Sequence, residues 1–310
     1  MNPSSKIYIA GHTGLVGSAI LRKLAAEGYS NIITIPHHQL DLCNQKETAL
    51  FFEKEKPNYV FMAAAKVGGV AALEKYCADV IHDNIAMQMN VLYSAYKSGV
   101  TKLMFMGSNC IYPKFTEQPI KEEYMLTGKL EPTTEYYAIA KIAGIRTCQA
   151  YRKQYGCNFI TILPVNLYGE NDNYDLETAH VMPALLSKFQ MAVTNKSSSV
   201  EIWGSGLPRR EFLHSDDLAD ACLFLMLSYN EDEPINIGAG EDISIRDLAL
   251  LIKEISGYEG ELVFNASRPD GVISKVLDVS KIHSLGWHHK IELREGITDI
   301  YSKIYPKNEN

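Results

Sequence analysis

The sequence predicts an α/β protein built on a doubly wound parallel sheet, with a smaller C-terminal α/β lobe. Two observations carry the prediction. Short apolar runs alternate with longer amphipathic stretches through the first half of the 310-residue chain, as parallel strands alternate with crossover helices. The first of these runs is followed at once by a glycine-rich turn and a helical pattern.

In order, residues 6–10 (KIYIA), 31–35 (NIITI), 59–63 (YVFMA), 102–107 (KLMFMG) and 159–164 (FITILP) read as strands. Each is brief and rich in β-branched or aromatic residues, as strands buried on both faces tend to be. Between them, 15–27, 45–55, 79–97 and 134–154 read as helices. Beyond Pro164 the pieces shorten. Helices are expected over 181–191, 216–228, 244–256 and 293–304, strands over 200–203 and 210–213, and a loop over 194–199 (TNKSSS). The chain thus divides into 1–165 and 166–310, with some later segments returning to the first part.

Hydrophobic residues make up 46% of the chain and charged residues 22%, an ordinary globular balance at a length that buries a large core without disulfides. The net charge of -7 argues against a general nucleic-acid partner, so an anionic ligand needs a local cluster of cations. No apolar run reaches the ~20 residues that span a bilayer, and the opening MNPSSK lacks the layout of a signal peptide. The six cysteines form no CxxC pair. They read as reduced thiols of a cytoplasmic protein, and no metal site is expected.

Gly11-His12-Thr13-Gly14-Leu15-Val16-Gly17 is a G-x-x-G-x-x-G turn opening the first helix. Glycine permits the tight turn and the close approach of a pyrophosphate to the helix N-terminus. The first part is therefore expected to be a Rossmann-type dinucleotide-binding domain. The second strand ends in Ile35-Pro36-His37-His38-Gln39, with neither a carboxylate for a 2′-hydroxyl nor an arginine for a 2′-phosphate. His37, His38 and Thr13 are the candidate substitutes, the alternative being a plain polar loop.

In the 134–154 helix Tyr137 and Lys141 are four residues apart, about 40° around the helix axis, so they share a face. Tyr136 is the poorer partner, about 140° from Lys141. A phenol is a feeble acid–base catalyst at neutral pH unless a nearby ammonium favours its ionised form. Such a pair protonates a carbonyl oxygen while hydride reaches the carbon. Tyr-x-x-x-Lys alone is common by chance. Beside the glycine turn, and with Ser108 after the fourth strand, it points to a reductase.

These residues resemble the extended short-chain dehydrogenase/reductase superfamily. Longer blocks resemble its family of GDP-L-fucose synthases: IAGHTGLVGSAI, AAAKVGGV (63–70), GSNCIYPK (107–114), EPTTEYYAIAKIAGI (131–145), NLYGENDNY (166–174), WGSGLPRREFLHSDD (203–217), RPDG (268–271) and LDVSKIHSLGW (277–287). The resemblance implies NADPH-dependent epimerisation at C3 and C5 and reduction at C4 of a GDP-4-keto-6-deoxyhexose, giving GDP-L-fucose. Cys110 and His180 match the pair that inverts C3 and C5, and a thiol and an imidazole bracket neutral pH as base and acid. Ser108 would hydrogen-bond the 4-keto oxygen, Tyr137 would protonate it, and Lys141 would hold the nicotinamide ribose and tune Tyr137. Pro164, Val165, Asn166, Leu167 and His180 match cofactor-contacting positions. Lys188, Trp203, Arg210 and Asp270 match nucleotide-sugar contacts, where one guanidinium and one ammonium suit a diphosphate. Without the resemblance, the same residues read as a buried thiol, a helix-terminal histidine, a solvated lysine, a paired arginine and a turn-capping aspartate.

Two departures bear on specificity. Thr13 and the absence of arginine between Ile35 and Leu40 make the expected preference for NADPH a modest one, and Asn109 stands where serine is frequent in the family. The nearest alternative is the same, or reductase-only, chemistry on a GDP-linked 6-deoxy-heptose or colitose precursor, since one carbon separates substrates by only ~1–3 kcal/mol. A catalytically silent dinucleotide sensor on this fold is opposed by the joint presence of Ser108, Cys110, Tyr137, Lys141 and His180. A homodimer is expected because residues 84–97 are apolar on more than one helical face, with Ile85, Met87, Met89, Val91, Leu92 and Tyr96, the alternative being burial beneath the second lobe.

Overall fold

The computed structural model describes residues 1–267 and 270–306. The first half runs β1 (Ile7–Ala10), α1 (Leu15–Ala26), β2 (Ile32–Ile33), α2 (Gln45–Glu55), β3 (Tyr59–Met62), α3 (Val70–Lys75), α4 (Cys77–Lys97), β4 (Lys102–Met106), α5 (Glu135–Tyr155) and β5 (Phe159–Pro164). It continues with β6 (Asn166–Tyr168), α6 (Val181–Asn195), β7 (Ser199–Trp203), β8 (Arg209–Arg210), β9 (Phe212–His214), α7 (Ser215–Ser228) and β10 (Ile235–Ile237). The remaining elements are β11 (Ile243–Ser244), α8 (Ile245–Ser256), β12 (Glu261–Asn265), α9 (Ser280–Ser284) and α10 (Leu293–Ile304).

Six parallel strands in the order β10-β5-β4-β3-β1-β2 form the central sheet. Strands β1, β4 and β5 are buried at every position, which explains why, Lys102 and Thr161 apart, they are apolar. Helices α2, α4 and α5 pack as one layer, and α1 packs with α7. A second core gathers Phe189 of α6, Leu248 and Ile252 of α8, and Ile297 and Ile300 of α10. No helix among the described residues is long and apolar enough to cross a membrane.

Three expectations are adjusted. The second strand is only Ile32–Ile33, because it lies at the sheet edge, where nothing extends it into the Pro36 loop. The strand expected at 210–213 is two pieces, β8 and β9, which pair with different partners, β11 and β6. Between them Glu211 is fully buried. Finally, β10 is three residues of a run too short to announce itself, yet it supplies the sixth strand of the sheet.

Candidate active site

The C-terminal ends of β1, β3, β4 and β5 open into a cleft of about 640 Å³ whose walls include the glycine turn, Ser108, Cys110, Tyr137, Lys141 and His180. This is the edge of an open α/β sheet at which ligands ordinarily bind.

At one end of the cleft Gly11 holds a left-handed φ of +85°, and a side chain at Gly17 would collide with the Gly11 carbonyl. Helix α1 has no side-chain cap, so its first N–H groups remain available to an anion. His12 Nδ1 is buried without a partner among the described residues. These features fit a dinucleotide. Thr13, Gly14, Leu15, Val16, His37, Pro164, Val165, Asn166 and Leu167 also line the cleft. His38 does not reach it; its Nε2 lies 3.4 Å from Gln39 Nε2.

Ser108 caps a short 3-10 turn, its Oγ accepting the Cys110 N–H at 3.2 Å. The cap turns both side chains toward the cleft. Helix α5 presents Tyr137 and Lys141 from above β4, where a side chain at Gly144 would strike the Phe105 ring. That close approach lets Lys141 Nζ reach the Met106 carbonyl at 2.7 Å. Burial brings the Lys141 ammonium down to about 8. Burial, reinforced by Cys110, pushes the Tyr137 phenol well above its ordinary range. The direction is opposite to the lowering expected from a neighbouring ammonium, because desolvation outweighs a cation whose hydrogen bond goes to a backbone carbonyl. Tyr137 is thus held protonated, the form that donates.

His180 enters as the N-cap residue of α6, a helix of the second core, without a capping hydrogen bond of its own. It is held across the cleft by the 63–70 loop, whose Gly69 N–H donates to the Thr178 carbonyl at 2.7 Å. His180 is exposed as a residue, yet the walls around its imidazole lower its pKa by desolvation.

The candidate nucleotide-sugar residues divide. Arg210 lines the cleft, and its Nη1 donates to the carbonyls of Arg209 and Val272 at 2.7 and 2.6 Å. Lys188 and Trp203 line a separate open basin of about 720 Å³ beside α3. There Lys188 Nζ donates to the Glu201 carbonyl at 3.0 Å and sits 4.9 Å from the centre of the Trp203 ring. Asp270 lines neither. Its carboxylate accepts the Ser205 N–H at 2.6 Å and the Ser205 hydroxyl at 2.8 Å.

A model of the NAD dependent epimerase/dehydratase family matches residues 7–238. The chain belongs to this family. It is 54% identical over 305 residues to GDP-L-fucose synthase 1 of Arabidopsis thaliana, covering 98% of this chain and 94% of the relative. Among solved structures it is similar to a GDP-6-OMe-4-keto-L-xylo-heptose reductase from C. jejuni, with a TM-score of 0.92 at 41% identity, covering 98% of each chain. It is also similar to MlghC, the GDP-mannoheptose C4 reductase from Campylobacter jejuni with NADP bound. There the TM-score is 0.90 at 43% identity, covering 97% of this chain and 98% of that one. Membership of the family supports a nicotinamide dinucleotide as the cofactor.

For an epimerase/dehydratase of this kind the sequence reading missed three charged groups in the cleft. Lys275 is buried with no hydrogen bond among the described residues, and burial lowers its pKa while Cys110 and Glu131 pull it upward. Glu131 is buried and ion-paired to Lys114 at 3.1 Å. Asp172 keeps one carboxylate oxygen without a partner, and burial pushes its carboxyl up to about 6. The available signal for Lys275 was a lone lysine in the run from Val272 to Leu277.

Proposed function

We propose that the chain is an NADPH-dependent GDP-4-keto-6-deoxyhexose 3,5-epimerase-4-reductase that produces GDP-L-fucose. The observation that carries the reading is the convergence of Ser108, Cys110, Tyr137, Lys141 and His180 on one cleft with the glycine turn. When bound, the dinucleotide supplies a hydride.

The protein supplies the proton chemistry. A 4-keto group acidifies the protons at C3 and C5, and inversion needs a base on one face of the ring and an acid on the other. Cys110 and His180 approach from different lobes and provide the two. The lowered pKa of His180 favours release of a proton to the sugar once the imidazole carries one. Ser108, whose Oγ already accepts the Cys110 N–H, retains its hydroxyl hydrogen for the 4-keto oxygen. Tyr137 then protonates that oxygen as C4 is reduced. Arg210 and Lys275, which line the cleft, give an acidic chain the local positive charge that a diphosphate requires. The functional unit is a homodimer formed through α4 and α5.

The test is product labelling in D2O. Solvent deuterium at both C3 and C5, with the C4 hydrogen derived from the nicotinamide, supports the reading. Cys110→Ala should lose deuterium uptake while still reducing some unepimerised ketone. A product without deuterium at either centre would leave a simple 4-reductase. The 41% and 43% identities to heptose reductases favour a GDP-4-keto-heptose as the second reading, and turnover of both sugars side by side separates the two.

A further inference from the structure

Glu211 interrupts the run of arginines and apolar residues between β8 and β9, and it is fully buried. No cation pairs with it among the described residues. Its two carboxylate oxygens are divided between two distant backbone segments: Oε1 accepts the Gly240 N–H at 2.7 Å and Oε2 the Leu277 N–H at 2.8 Å. Its own carbonyl accepts from Asn166 Nδ2 at 2.9 Å. One residue before it is Arg210, and two residues before Leu277 is Lys275. The two segments run side by side, with the Arg209 N–H donating to the Ile273 carbonyl at 2.7 Å. On its far side the Leu277 segment is bridged to Ile120.

A buried carboxylate without a counter-charge is costly to the fold, and burial pushes the Glu211 carboxyl up to about 7 despite its backbone donors. An apolar residue could close this space more cheaply. What the carboxylate adds is bidentate aim, because each oxygen fixes one backbone N–H and so sets the register of one segment against the other. We propose that Glu211 is a positioning residue for the nucleotide-sugar side of the cleft, clamping the strand that carries Arg210 against the segment that carries Lys275 so that both cations face one anionic ligand. This rests on the nucleotide-sugar reading above.

The experiment titrates GDP and, separately, NADPH into the wild-type protein, Glu211→Gln and Glu211→Asp, with steady-state kinetics on the GDP-4-keto sugar. Glutamine accepts one N–H but turns an amide against the other. Glu211→Gln is expected to weaken GDP at least tenfold and to raise KM with kcat nearly kept, while the NADPH Kd stays within twofold. Glu211→Asp, which retains the charge and a shorter reach, should move in the same direction by less, and it decides the matter if Glu211→Gln does not fold. A GDP Kd within twofold of wild type in a folded variant overturns the inference, as does equal weakening of GDP and NADPH, the mark of a general structural role. Wild-type protein that takes NADPH but no GDP overturns the nucleotide-sugar reading itself, and this inference with it.

Discussion

Lys141 gives its ammonium hydrogen bond to the Met106 carbonyl, 2.7 Å away, while its Nζ lies 5.7 Å from the centre of the Tyr137 ring. The catalytic tyrosine and lysine of the proposed reaction therefore share a helix face without sharing a proton in this arrangement. Tyr137 is kept as a phenol by burial, and Lys141 loses its charge near pH 8.

Replacing Tyr137 by Phe preserves the ring packing and removes the proton donor. C4 reduction is expected to fall by ~10²-fold or more, with NADPH affinity retained because the glycine turn is untouched. Near-normal turnover in single-turnover assays would instead direct attention to Tyr136.

The charge on Lys141 sets an alkaline limit. Below about pH 8 its ammonium is present, so kcat/KM for reduction should decline as pH rises through that value. A profile that stays flat to pH 9.5 would contradict the role given to Lys141.

With His37 alone of the two histidines reaching the cleft, the preference for NADPH over NADH should be modest, smaller than an arginine clamp gives. His37→Ala should narrow it further. A kcat/KM for NADH above that for NADPH in the wild-type protein would reverse the assignment.

Lys102 carries a prediction about stability. Its buried ammonium donates to the carbonyls of Leu225, Met226 and Tyr229 at 3.0, 2.7 and 2.6 Å, closing the end of α7. Lys102→Met should destabilise the fold by about 2–4 kcal/mol, since three buried acceptors lose their donor. Burial, with a smaller push from Arg152, brings the pKa down to about 8 from 10.5. Between those values the unfolded chain holds more protons, so this lysine makes stability rise with pH there. Urea unfolding at pH 7.5 and 9.5 should show a smaller rise in the variant than in the wild-type protein.

The proposed dimer surface is aromatic. Tyr96 of α4 stacks on Tyr155 of α5 with ring centroids 4.4 Å apart, and Tyr93, Tyr155, Tyr136 and Ile139 are exposed on the same two helices. Sedimentation at micromolar concentration should give a dimer mass, and Tyr93→Glu should shift it toward the monomer. A monomeric wild-type protein would remove the assignment.

The glycine turn and the Tyr137–Lys141 pair were legible because each is local. A turn and two side chains one helical turn apart need no knowledge of what packs elsewhere. The 210–213 run failed as a single strand because period-two alternation does not reveal that Glu211 will be drawn inward by N–H groups 29 and 66 residues away. Lys275 and Asp172 were invisible for the same reason: their burial is made by segments distant in sequence. The expected lowering of Tyr137 came from the neighbouring charge alone, whereas the outcome depends on how much water the finished cleft admits.

The return of β10 to the sheet makes the first half of the chain a poor stand-alone fragment. A polypeptide cut after Pro164 would keep five of the six strands and leave β5, buried on every residue, with one row of backbone donors and acceptors unpaired. Such a border invites another chain to add itself there, so fragments of this length should aggregate where the intact protein does not.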